Sequence, residues 1–199
     1  MNKKEITKLL EMINDNEIVE LKSFLTDELF KIKLKETYGN NYVSATKKIK
    51  KYLDKAGKNR PILNYYDIQD GKQCFTDSFF AFRMNDGYYL NNIEYHNNQK
   101  GTYPDLREFI PKPIEDNLVP IDDNKIANPK VVGMCGKDVE LYQVVLNDHV
   151  VCVFNLEFLK LVIQLLGSDV KMYVNGSMRP VLFVSDRGEA VICPIRIND

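Results

Sequence analysis

Few residues in this chain have the types and spacing that catalysis needs. A nucleophile elbow requires Gly-x-Ser-x-Gly, and the nearest string, Asn175-Gly176-Ser177-Met178-Arg179, lacks the second glycine. Gly133-Met134-Cys135-Gly136-Lys137-Asp138 has the look of a phosphate loop. Its glycines stand too close together, and Asp138 occupies the place where Ser or Thr must hold magnesium. Asp148-His149 falls at an expected hairpin tip and reads as a solvated turn. The four cysteines (Cys74, Cys135, Cys152, Cys193) and two histidines (His96, His149) include no pair at zinc-ligand spacing. Scattered thiols of this kind fit a reducing cytoplasm, each as a small buried apolar side chain. The expectation is a non-enzymatic protein with no metal and no cofactor.

The chemistry the sequence does offer is electrostatic. Residues 44–60 carry Lys47, Lys48, Lys50, Lys51, Lys55, Lys58 and Arg60 against one acid, Asp54. That is a local charge of +6 in a chain whose total is −1, so the rest carries −7. At about 100° per residue, Ala45, Ile49, Tyr52, Leu53 and Ala56 gather on one side of a helix. Lys47, Lys48, Lys51, Lys55 and Lys58 gather on the other. Lysines are compact charges suited to phosphate contact without base reading. Aromatic residues do not interleave with them, so a stacking platform for single strands is not indicated. The plainer reading is a solvated lysine-rich face.

The elements that must position this face follow from periodicity. Helices are expected at 3–14 and 17–36, with seven lysines against eight acids over 1–36. After a turn at 37–43, Ser44 is the expected N-cap of a helix over 44–57, stopped by Gly57 and Pro61. Strands are expected at 62–68, 73–76, 79–84 and 88–93, with Asp70-Gly71 and Asp86-Gly87 as hairpin turns. A connector rich in proline follows, from Pro104 to Pro129. It is too long for a turn and is expected to run over the surface. A hairpin at 139–146 and 149–154 comes next. A helix over 155–166 follows, capped by Asn155 and ended by Gly167, and then strands at 169–175, 179–184 and 189–196. The succession is an internal near-repeat of a strand–helix–strand–strand unit and gives an α+β class.

The chain has 199 residues, 44% of them apolar and 28% charged, as in ordinary soluble proteins. No uncharged apolar run approaches the roughly 18–20 residues of a membrane span. The opening MNKKEITKLLEMINDNE does not have the form of a secretory or transit signal. A cytoplasmic protein is expected.

The run from Phe154 to Ile197 resembles the last part of bacterial DNA polymerase III beta-type sliding clamps. In that family "FN" starts a helix, two strands follow, and the chain ends in a tail similar to Val191-Ile192-Cys193-Pro194-Ile195-Arg196-Ile197. Tyr103-Pro104-Asp105-Leu106-Arg107-Glu108-Phe109-Ile110-Pro111 is similar to the clamps' "F-P-D-Y-R-R-V-hydrophobic-P". Arg60-Pro61-Ile62-Leu63 with Thr76-Asp77 resembles their "R-P-I-L … T-D-G" course, although Ser78 replaces the glycine. The likeness covers about 42–111 and 150–197.

The resemblance implies a clamp-like domain over 37–199, with halves at about 42–100 and 139–199 and a connector over 101–138; the helical extension over 1–36 lies outside it. It implies a DNA replication accessory, or processivity factor, in which Lys47, Lys48, Lys51, Lys55, Lys58 and Arg60 face the phosphates of duplex DNA. The second helix offers only Lys160, beside Glu157 and Gln164. The resemblance also implies a pocket for peptides of a polymerase or clamp loader. Its residues would be Thr76, Pro104, Arg107, Asn155, Phe158, Met178, Pro180, Val191, Ile192, Pro194, Ile195 and Arg196. Simple core packing is the other reading of these positions. Clamps of this family carry three such domains per chain, whereas this chain has room for one. A ring would then be a homo-oligomer of about six copies, or would include a partner clamp. The alternative function is a clamp-fold interaction module that does not bind DNA.

Overall fold

The computed structural model describes Leu25, 41–96, 101–111, 119–121, 131–134, 140–146, 149–167, 169–174 and 179–195. The chain divides into two compact units, Met1–Ser44 and Ala45–Asp199. In the first unit Leu25 is helical and exposed, and 41–44 are helical. The expected helices at 3–14 and 17–36 otherwise lie outside the described residues.

The second unit is α+β, with two helices and a mostly antiparallel eight-stranded sheet. Helix α1 spans 41–57. It is already running at Ser44, which is therefore not its N-cap. Tyr42 and Val43 are buried, and burial of apolar groups outweighs a local cap signal. Ala45, Ile49 and Leu53 form the buried stripe of α1, as the wheel predicts. Gly57 lies so close to Asn64 that a Cβ would stand 1.9 Å from Asn64 Oδ1. Pro61–Asn64 is a 3-10 turn rather than the start of a strand. Strands β1 (Tyr65–Gln69), β2 (Lys72–Thr76) and β3 (Phe80–Met84) follow. Asp70 and Gly71 both have positive φ, 53° and 71°, so this hairpin turns as its sequence indicates.

The expected strand at 88–93 is absent. Asn85–Tyr88 forms a tight turn, and Leu90 is then held by a side chain. The Gln73 amide donates to the Leu90 carbonyl at 3.0 Å and accepts from the Leu90 N–H at 2.6 Å. One buried amide thus stands in for a strand partner. Only β4 (Glu94–Tyr95) is extended, and it pairs parallel with β1. Gln69 acts in the same way on the connector. Its amide accepts from Leu106 N at 2.9 Å and donates to the Pro104 carbonyl at 2.8 Å.

The connector is more structured than its prolines suggest. It supplies β5 (Val119–Ile121), an edge of the large sheet, and β6 (Val131–Met134). β6 joins β7 (Glu140–Leu146) and β8 (His149–Asn155) in a three-stranded sheet. Helix α2 (Leu156–Leu166) has the expected ends: Asn155 Oδ1 accepts from Glu157 N, and Gly167 turns out at φ 100°. Seven of its apolar side chains are buried, each worth roughly 1.5–3 kcal/mol against exposure. β9 (Lys171–Val174), β10 (Val181–Ser185) and β11 (Gly188–Ile192) complete the sheet.

Strand order in the large sheet is β4-β1-β2-β3-β11-β10-β9-β5. Each helix is followed by three antiparallel strands, and the two trios meet through their third strands. Phe80↔Ile192 to Met84↔Gly188 is the antiparallel seam. Phe80 on one face meets α1 and α2. On the other face Cys74, Ala81, Leu182 and Val191 pack with Leu106 and Ile110 of the connector. No described helix is long and apolar enough to cross a membrane.

Candidate nucleic-acid interface

The amphipathic pattern of α1 sets its orientation. With Ala45, Ile49 and Leu53 buried, Lys47, Lys48, Lys51, Lys55 and Lys58 are all exposed, and so is Arg60 beyond the helix end. Tyr52 anchors the helix through edge-on ring contacts, 6.0 Å to Phe80 of β3 and 5.4 Å to Phe158 of α2. Phe80 and Phe158 are themselves 5.2 Å apart. This aromatic trio fixes both helices on the same face of the sheet. At about 1.5 Å rise per residue, Lys47, Lys51 and Lys55 stand about 6 Å apart along one side.

The lysines differ in their partners. Lys48 Nζ donates to Glu157 Oε1 of α2 at 2.7 Å, and Lys50 Nζ pairs with Asp54 at 2.6 Å. Lys47, Lys51, Lys55 and Lys58 make no ion pair with a described residue. Arg60 reaches the Ser78 hydroxyl at 3.5 Å. On α2, Lys160 pairs with Glu140 of β7 at 3.2 Å.

Beyond α1 lies the β2–β3 turn, Asp77-Ser78-Phe79. Asp77 is buried, and its Oδ1 accepts from Phe79 N at 2.8 Å and Phe80 N at 2.9 Å. Burial pushes its carboxyl above the ordinary range, while those two N–H groups and the nearby Lys55 pull the other way. Ser78 has φ 82°, the left-handed region that favours glycine. Phe79 is 64% exposed, and its carbonyl accepts from Cys193 N at 2.8 Å. The tail then continues to Ile195, whose N–H donates to Val153 O of β8 at 2.7 Å.

The residues expected to form a peptide pocket are spread over several surroundings. Thr76 and Val191 face the connector side of the sheet. Thr76 Oγ1 donates to Phe80 O at 2.5 Å, and Val191 packs with Leu106 and Ile110. Phe158 and Ile192 are buried on the helix side. Asn155 serves as a cap. Arg107 is exposed but engaged with Asp105 at 2.5 Å and Asp70 at 3.2 Å. Pro104, Pro180, Pro194 and Ile195 are half-buried. Met178 and Arg196 lie outside the described residues. Pro194 and Ile195 lie on the tail that Phe79 flanks. Sequence reasoning missed Phe79, although Phe79-Phe80 at a strand start obliges one ring to face outward.

Burial disfavours the thiolate form of the three described thiols. Burial raises Cys74 to about 11 and Cys152 to about 12, and it also raises Cys193. All three are free. Cys135 and the Asp148 turn lie outside the described residues. No family model, curated protein or solved structure matches the chain.

Proposed function

We propose that this chain is a sliding-clamp-like accessory protein of DNA replication. It holds duplex DNA through phosphate contacts from α1 and takes partner peptides on the surface formed by Phe79 and the tail. The observation that carries the reading is the exposed row of Lys47, Lys51, Lys55 and Lys58, none in an ion pair with a described residue, on a helix braced by aromatic packing. Such a row attracts a polyanion without reading bases, and little energy separates one register from the next. Two features of the fold support the clamp-like part. The sheet is two helix-plus-three-strand halves joined by an antiparallel seam. Ser78 also stands at φ 82°, in the left-handed region that favours glycine, at the position where the resembling "T-D-G" string has its glycine.

The test is retention on duplex DNA at rising salt. Four phosphate contacts give a log–log slope of about −3 to −4. Changing Lys47, Lys51 and Lys55 together to Glu is expected to abolish retention. A wild-type chain that is not retained even at low salt overturns the reading. The exposed Phe79 then favours the second one, a clamp-fold interaction module that binds proteins alone.

A further inference from the structure

We infer that Glu157 is a built-in competitor for phosphate on the lysine face, so that DNA must displace a carboxylate to use Lys48. This rests on the proposed phosphate contact and specifies how it is tuned.

The geometry is specific. Glu157 stands in the first turn of α2, where Asn155 caps the helix and fixes the approach of its backbone. Its Oε1 lies 2.7 Å from Lys48 Nζ, across the gap between α2 and α1. That is the distance a phosphate oxygen takes from an ammonium group. Both side chains keep over a third of their surface in water, 45% and 36%. An exposed pair of this kind adds little to folding, so stability does not explain it. The pair does occupy one cation of the lysine face. Lys47 and Lys51, its neighbours on α1, have no such counter-charge among the described residues. Lys160–Glu140 is a comparable pair between α2 and β7. It involves no lysine of α1, which makes Glu140 a matched control.

The experiment measures duplex affinity against salt for the wild type, Glu157→Gln, Glu140→Gln, Lys48→Ala and the Lys48→Ala/Glu157→Gln double variant. Circular dichroism melts check that each is folded. Glu157→Gln is expected to tighten binding about threefold or more at low salt and to steepen the slope by about 0.9, one extra phosphate. Glu140→Gln, with the same charge change, should do less. On the Lys48→Ala background the gain should vanish. Equal effects of Glu157→Gln and Glu140→Gln overturn the inference, as does a gain that survives loss of Lys48, while leaving the DNA reading intact. Absence of wild-type retention even at low salt overturns the DNA reading and this inference with it.

Discussion

Ser78 shows what a single residue costs here. Its φ of 82° places a Cβ where L-residues are strained, at roughly 1–2 kcal/mol. What it gains in return is small: a 3.5 Å contact from Arg60 to its hydroxyl. Ser78→Gly is therefore expected to stabilise the protein by up to about 1 kcal/mol, because glycine's freedom in the unfolded chain offsets part of the relief. The midpoint of urea unfolding checks this, and a lower midpoint would mean that the hydroxyl outweighs the strain. Gly188 is the opposite case. A Cβ there would meet Arg83 O at 2.3 Å, so only glycine lets β11 close on β3.

At the scale of elements, two glutamines do the work of strands. Gln73→Ala would leave the N–H and carbonyl of buried Leu90 without partners. An unsatisfied buried group costs roughly 1–3 kcal/mol, so a loss of about 2–4 kcal/mol is expected, with faster hydrogen exchange at the Leu90 amide. Unchanged exchange there would show that the 88–93 segment is held by something else. These bonds explain where the sequence was legible. Helix α2 was readable from Asn155, Gly167 and its apolar period, since each acts locally. The β1–β2 hairpin was readable from Asp70-Gly71. The run at 88–93 looked like a strand because Tyr88, Tyr89, Leu90 and Ile93 are of types that strands favour, and those types carry no mark of a glutamine seventeen positions away. β5 and β6 were hidden by their brevity and by the prolines around them. The lysine face needed only the helical period. The Lys48–Glu157 pair, 109 positions apart, had no sequence signal at all.

At the scale of the molecule, the proposed function makes a demand on assembly. Under that proposal, a ring around DNA takes more than one such unit. Light scattering at high concentration is expected to give a mass above the monomer, and a strict monomer would favour the interaction module. Among the described residues, the large sheet ends in two short strands, β4 with two residues and β5 with three. The seam within the sheet has a consequence of its own. Phe80 and Ile192 lie side by side in the sheet yet are more than a hundred positions apart in the chain. At ordinary translation speeds of roughly 5–20 residues per second, β3 leaves the ribosome about 5–20 s before its neighbour exists. During that interval the first trio has an open apolar flank. The native sheet is thus joined down its middle by the last of its described strands to be synthesised.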